Sequence, residues 1–506
     1  MSMSGIQSIA VIGAGTMGRG IVQLFAQTGH AVRCFDAVEG SAGKAVAFVA
    51  EMIERAVAKG RYSAEEGASI IGRVSACERI EELAGCDLAI EAVVEDLTVK
   101  RQLFQALEEV LGESAILASN TSSLMVADIA AACRRPERVA GLHFFNPVPL
   151  MKVAEVIAAV RTSAATVSAL EVLVSAAGHR AVVAEDQPGF LVNHAGRGLY
   201  TEGLRILEER VAGVADVDRL MREAAGFRMG PFELLDLTGL DVSGKVMESI
   251  YQQFHQEPRF RPSTLVAPRI AAGLFGRKSG RGWYVYVNNE KQVPACPTVP
   301  ELPDRLRVWV DPDADEHARL CGLVFEAGLE LVEFSQNADL LILQFWGMDV
   351  SRYCAEHRLD ATKAVAVDPL PRLDNHRTLM LSSMTRPEVR DAAHALLAKG
   401  GASVTVIGDS CGFVVQRVLA TIVNIAADIA QRGIASVTDI EDAVRLGLGY
   451  PLGPLSLGDA IGSRKVMEIL TRMHELTGDP RYRPSPWLAR RASLGLPLVT
   501  AEADRT

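Results

Sequence analysis

The chain has 506 residues, too many for a single core, and length alone predicts about three or four domains. Hydrophobic residues make up 49% and charged residues 23%, an ordinary balance for a globular protein. A net charge of -10 argues against nucleic acid as the main partner, because phosphate binding needs a basic surface. No apolar stretch approaches the ~18 residues of a membrane span, so no membrane partner is expected. The opening "MSMSGIQSIAVIG" has no charged leader before its first apolar run, which argues against a signal peptide and for a cytoplasmic protein. The eight cysteines lack CxxC or finger spacing, so mostly buried free thiols in a reducing compartment are expected, and no metal-ligand cluster is seen.

In chain order, "SIAVIGAGTMGRGIVQLFAQTGHAVRCFD" comes first. The apolar run Ile9 to Ile12 predicts a strand. A turn at Gly13-Ala14-Gly15 follows, then a helix entered at Thr16-Met17-Gly18, then a second strand ending in Asp36. In a βαβ unit Gly13 permits the tight turn, Gly15 lets a pyrophosphate approach the backbone, and Gly18 lets helix meet strand. The helix N-terminus offers free N–H groups to phosphates. Asp36 sits where a carboxylate binds both ribose hydroxyls, which predicts NAD over NADP because a 2′-phosphate would be repelled.

The spacing predicts a helix over 41–59, with Arg55, Lys59 and Arg61 at its end as either a nucleotide contact or a solvated basic face. A buried strand over 88–94 ends in Glu95 and leads to a helix carrying Lys100. "AILASNTSSL" is a further strand ending in the polar cluster Ser119 to Ser123. "AGLHFFNPVPLMKVAEV" reads as a hairpin centred near Pro149, which sets His143 opposite Glu155. That pairing is either an oriented general base or a buried histidine satisfied by a convenient acid. Glu95, Ser122 and His143 all lie at carboxyl ends of strands, where ligands bind in open α/β sheets. From about Glu185 the pattern turns helical, with Asp186 as a cap, Pro188 in the first turn and Asn193 near the start of the helix. Lys278 lies in a glycine-rich loop, facing either the cofactor or solvent.

Together "GAGTMG", "EAVVED", "SNTSSL", "GLHFFNPVPLMKVAEV", "DQPGFLVN", "GPFELLD" and "GRKSGRGWY" resemble the L-3-hydroxyacyl-CoA dehydrogenase family from about residue 5 to 286. The resemblance implies an NAD-binding Rossmann domain joined to an all-helical domain, with acyl-CoA as substrate. It implies His143 as catalytic base and Glu155 as the acid orienting it, with Ser122 and Asn193 hydrogen-bonding the substrate's 3-oxygen. Glu95, Lys100, Ser122, Asn146 and Lys278 match cofactor contacts, alongside the loop Gly13, Ala14, Gly15, Thr16, Met17, Gly18 and Asp36. Lys59 matches a contact to the CoA nucleotide, but Met52 replaces a family serine nearby.

Pro294, Pro297, Pro300 and Pro303 mark a linker, beyond which the chain repeats itself. "DQPGFLVN" at Asp186 recurs as "DSCGFVVQ" at Asp409, an offset of 223 that also relates Gly178 to Gly401, Asp216 to Asp439 and Gly230-Pro231 to Gly453-Pro454. The copy has lost its chemistry. "VWVDPDADEHARL" has no glycine turn, Val365 stands where the base would be, and Gln416 replaces Asn193. The expected organisation is a Rossmann domain 1–185, a helical domain resembling the 6-phosphogluconate dehydrogenase C-terminal type 186–286 and a linker 287–305. A reduced α/β segment 306–400 without a cofactor site and a second helical domain 401–506 complete it. The two helical copies are expected to pair within one chain as an internal pseudo-dimer, which leaves room for further homo-oligomerisation.

Three functions follow in order of preference. The first is NAD-dependent oxidation of an L-3-hydroxyacyl-CoA in fatty-acid or aromatic (phenylacetate-type) catabolism, with butyryl or dicarboxylic adipyl-type acyl groups suggested by analogy. The second is a related dehydrogenase for a free hydroxy acid or sugar acid. The third is a non-catalytic NAD-binding protein.

Overall fold

The computed structural model describes residues 5–374 and 376–502. The first four residues of the opening stretch and the last four of the expected second helical domain lie outside them. No helix among the described residues is long and apolar enough to cross a membrane. Two units are defined by their contacts, one of residues up to His194 together with Arg432–Leu448, the other of the remainder.

The first unit is built on eight strands: β1 Ser8–Ile12, β2 Ala31–Phe35, β3 Val74–Cys77, β4 Leu88–Glu91, β5 Ile116–Ser119, β6 Val139–Phe144, β7 Val153–Ala158 and β8 Arg180–Glu185. Their order is β3-β2-β1-β4-β5-β6-β7-β8. Every neighbour is parallel except β6 and β7. β4, β5 and β6 are buried at every position, as expected of parallel strands covered on both faces. The order reverses direction at β1, and the crevice beyond the carboxyl ends of β1 and β4 is the switch point where such sheets bind ligands. The predicted helix over 41–59 is Ser41–Ala58, with Lys59 as its C-cap.

Asp186 does not cap its own helix. Its carboxylate accepts the N–H groups of Val126 (3.0 Å) and Ala127 (2.7 Å), at the start of a helix some sixty residues earlier in the chain. The backbone then bends through Gly189 and Phe190, both at positive φ, and becomes helical only at Val192–Ala195 and Arg197–Glu208. Asp409 repeats the device, accepting from Val350 N (2.8 Å) and Ser351 N (3.2 Å). The repeated aspartate is thus a long-range cap.

The second unit contains a hairpin, β9 Val285–Val287 with β10 Glu290–Gln292, turned by Asn288 and Asn289 at positive φ. It occupies the front of the expected linker, because two asparagines tolerate the left-handed turn that a hairpin needs. A smaller sheet follows: β11 Arg307–Val310, β12 Glu330–Leu331, β13 Leu340–Leu343, β14 Ala364–Val367, β15 Arg377–Leu381 and β16 Val404–Ile407, in the order β12-β11-β13-β14-β15-β16. Only β14 and β15 are antiparallel. It has the first sheet's plan with two strands fewer, and it runs past residue 400 because β16 mirrors β8. The helix Arg197–Glu208 crosses Val415–Gln431 so closely that a Cβ on Gly198 would stand 3.0 Å from the backbone of Ile422. Buried Arg417 there donates to Glu202 (2.8 Å), Glu209 (2.7 Å) and Ser410 (3.0 Å), while Tyr482 also donates to Glu202 (2.9 Å). Breaking such a buried pair costs ~3–5 kcal/mol, although it gains little over an apolar pair.

Candidate active site

The glycine loop joins β1 to the helix Thr16–Gln27. Gly13 lies at φ 103° and donates to Phe35 O at 2.8 Å; a Cβ there would sit 2.4 Å from Ala92 O. A Cβ on Gly18 would fall 1.7 Å from Gly13 O, so both positions require glycine. Nothing lies within 4 Å of the Cβ position of Gly15, the N-cap residue. That open face, with the helix amides behind it, is the cradle a dinucleotide pyrophosphate fits. Asp36 stands at the end of β2, where its carboxylate accepts from Ala14 N (2.7 Å) and Val38 N (2.8 Å), tying the strand end to the loop. Its remaining lone pairs are what a ribose would meet.

A second cluster gathers at the ends of β4 and β5. Glu95 accepts from Thr121 Oγ1 (2.7 Å), Ser122 N (3.0 Å), Ser123 N (3.0 Å) and Ser123 Oγ (2.9 Å). Burial works against its charge, but Lys100 and these hydrogen bonds together hold its carboxyl below the ordinary range. Lys100 is 1% exposed, 2.6 Å from the buried Glu91 and 3.3 Å from Glu95. Its ammonium thus lies beneath Glu95 and braces that carboxylate. Glu91 was not singled out in the sequence, although it is an acid inside the apolar run "DLAIEAVV". It also takes Ser119 Oγ (2.6 Å) and Val93 N (2.8 Å). Asn120, also not anticipated, accepts Phe144 N at 2.8 Å and so ties β5 to β6.

The hairpin of β6 and β7 sets His143 directly opposite Glu155, as its centre near Pro149 predicts. His143 Nδ1 lies 2.5 Å from Glu155 Oε2, and both residues are buried. The other carboxylate oxygen, Oε1, accepts Leu191 N (2.9 Å) and Val192 N (2.7 Å). Glu155 is thus held by three donor atoms, one on β6 and two at the entry to the helix Val192–Ala195, and its orientation fixes which imidazole nitrogen carries the proton. Phe145 edges the ring at 4.6 Å and Phe190 at 5.9 Å between centroids. Asn193 follows Val192 and is half-buried, Ser122 is half-buried, and Asn146 is exposed just past β6. Lys59 is exposed and follows Ala58, which helps line a groove of about 390 Å³ with Ile53, Val57 and Ile71. Lys278 belongs to the second unit, where its ammonium lies 2.6 Å from Asp241.

The equivalent place in the second sheet is filled by its own side chains. Val365, which stands where the repeat puts the base, faces Leu381 across β14 and β15, an apolar pair. After β11, Asp311 accepts from Tyr353 OH at 2.6 Å, where the first copy has Gly13 and an open loop. Gln416 accepts from Gly347 N (2.9 Å) and donates to Phe345 O (3.3 Å) and Asp368 (2.9 Å), so the residue in Asn193's position holds a loop. Burial pushes the Asp368 carboxyl up to about 7, against hydrogen bonds from Leu370 N–H and Gln416. A folded-state pKa above the unfolded value penalises the folded chain as pH rises from about 4 to about 7. Asp368→Asn is therefore expected to stabilise the protein on the order of 3 kcal/mol at about pH 8, with the gain shrinking toward about pH 4. Thermal melts across that range check it; an equal gain at both ends would contradict it.

A glycine loop at the switch point of a doubly wound sheet, beside a buried histidine–carboxylate pair, defines a dinucleotide-dependent dehydrogenase of the Rossmann class. Residues 8–187 match the family described as 3-hydroxyacyl-CoA dehydrogenase, NAD binding domain, and residues 189–286 and 412–499 its C-terminal domain. The chain belongs to the 3-hydroxyacyl-CoA dehydrogenase family and is an NAD-dependent oxidoreductase. It is 35% identical over 492 residues to 3-hydroxyadipyl-CoA dehydrogenase of Escherichia coli (strain K12), covering 97% of this chain and 98% of that one. It is 38% identical to 3-hydroxybutyryl-CoA dehydrogenase of Clostridioides difficile, over 55% of this chain and 99% of the relative. The crystal structure of 3-hydroxybutyryl-CoA dehydrogenase from Escherichia coli K12 superposes with a TM-score of 0.85 at 33% identity, covering 97% of this chain and 99% of that one.

Proposed function

We propose that the enzyme oxidises an L-3-hydroxyacyl-CoA to the 3-ketoacyl-CoA with His143 as general base, and runs the reverse reaction under reducing conditions. The observation carrying this is the 2.5 Å contact between His143 Nδ1 and Glu155, whose other oxygen is held by two backbone N–H groups. Nδ1 therefore donates to the carboxylate, leaving Nε2 as the acceptor for the substrate's hydroxyl proton. Glu155 stabilises the imidazolium that results, and positioned proton transfer of this kind is worth ~100- to 10,000-fold. Ser122 and Asn193 hold the 3-oxygen as its charge changes. Bound NAD supplies the hydride acceptor. Gly13 to Gly18, Asp36, Glu95, Lys100, Ser122, Asn146 and Lys278 are the proposed cofactor contacts, with Lys100 also fixing Glu95 from below, and Lys59 reaches the CoA nucleotide.

The names of the relatives support a 3-hydroxybutyryl or 3-hydroxyadipyl acyl group; we place the enzyme in the cytoplasm, in fatty-acid or aromatic catabolism. We assign the NAD domain to 1–185, the first helical copy to 186–286, the linker to 287–305, the reduced segment to 306–407 and the second helical copy to the remainder. The two helical copies form an internal pseudo-dimer in this reading, supported by the close crossing at Gly198 and the Arg417–Glu202 pair. Comparing kcat/KM for NAD and NADP tests the cofactor assignment. NAD is expected to win by about tenfold or more, because Asp36 repels a 2′-phosphate and Ala37, Val38 and Glu39 offer no cation. Equal values would remove Asp36 from the ribose site.

A further inference from the structure

The second helical copy has a part that does not stay with its own half. Residues Arg432–Leu448 group with the NAD-binding unit, and their helix, Val437–Gly447, lies against β7 and β8. Arg180, the first residue of β8, reaches Asp442 with Nε (2.8 Å) and Asp439 with Nη2 (2.6 Å). At the other end of β8, Glu185 N donates to Ile434 O (2.8 Å), and Arg432 donates to Gln187 (3.0 Å).

The end of the helix meets the catalytic pair's support. A Cβ on Gly447 would stand 3.0 and 3.1 Å from the two methyls of Val192 and 3.6 Å from Val153. Val192 N holds Glu155 Oε1 at 2.7 Å, and Val153 shares a face of β7 with Glu155, two residues on. Val153 also pairs in register with Arg180, so the ion pairs and the glycine contact act on one rung of the sheet. The exchange is reciprocal. In the second unit Gly408 N donates to Val211 O at 2.8 Å, both residues 223 positions from Glu185 and Ile434. The same offset sets Ala224 against Gly447. Glycine thus stands in the copy that faces the histidine–glutamate pair, and alanine in the copy whose opposite sheet carries Val365 and Leu381.

We propose that Gly447 is a positioning residue of the active site: the helix of the inactive copy seats Val192 so that its N–H fixes Glu155, and through it the tautomer of His143. The inference rests on the base assignment given above. A Cβ at this position asks the Val192 methyls to give by a few tenths of an ångström, a push that reaches the carboxylate through the Val192 N–H rather than the cofactor loop.

The test uses the full-length enzyme. Gly447→Val is expected to lower kcat by about 10- to 100-fold, the scale on which small misplacements act, with the Kd for NADH within about twofold of the parent. Gly447→Ala, which installs the residue found in the other copy, is expected to lose about threefold or more and serves if the valine variant does not fold. Adding Val192→Ala to either returns the room taken and restores kcat to within about threefold. Parent-like kcat in both variants overturns the proposal, as does a loss that Val192→Ala fails to recover. His143→Ala is measured beside them. Parent-like turnover there would overturn the base assignment itself, whereas an inactive His143→Ala beside a fully active Gly447→Val would overturn the positioning role alone.

Discussion

Replacing His143 by alanine is expected to lower kcat by about 100-fold or more while NADH binds with nearly unchanged affinity. The imidazole lies at the end of β6, outside the glycine loop, so its removal leaves the Gly13 to Gly18 cradle intact. Glu155→Gln is expected to be nearly as damaging. Leu191 and Val192 N–H groups both claim the side-chain oxygen, so the amide NH2 is left facing Nδ1. Nδ1 must then accept, and the proton moves to Nε2, the atom that should take the substrate's proton. Single-turnover kinetics with a hydroxyacyl-CoA separate this loss from binding. Near-parent turnover in His143→Ala would remove the residue from the mechanism.

Truncation after Tyr286 is expected to give aggregation or a conventional dimer, and to lose most of the turnover. It removes the Val415–Gln431 helix, buried along almost its whole length, and uncovers the face around Gly198. It also strips Glu202, buried in the intact chain, of its partner Arg417. The helix behind Val192 goes as well. In the intact chain a covalent tether raises the effective concentration of one helical copy for the other to roughly millimolar, which favours internal pairing. One NADH per chain is expected by calorimetry, since the place of the glycine loop in the second copy is taken by Asp311 and its tyrosine partner. Two sites per chain, or a truncated form that stays monomeric and soluble, would contradict this.

What was legible in the sequence was local. The strand–glycine loop–helix signature of β1 follows from spacing alone, and the hairpin register follows from symmetry about Pro149. The 223-residue repeat anticipated a second, reduced sheet. The misread features depend on partners distant in the chain. Asp186 has the pattern of an N-cap, but the amides it serves belong to Val126 and Ala127. The placing of the helix Val437–Gly447 was not anticipated, because the residues it meets, Arg180 and Val192, lie some 250 positions earlier in the chain.

The central claim is tested most directly by following NADH formation with a panel of L-3-hydroxyacyl-CoAs of different chain length and terminal charge, each beside its free hydroxy acid. The account predicts kcat/KM at least about 100-fold higher for the thioesters, with the activity lost in His143→Ala. Equal or faster oxidation of free hydroxy or sugar acids, or NADH binding without turnover of any thioester, would contradict it.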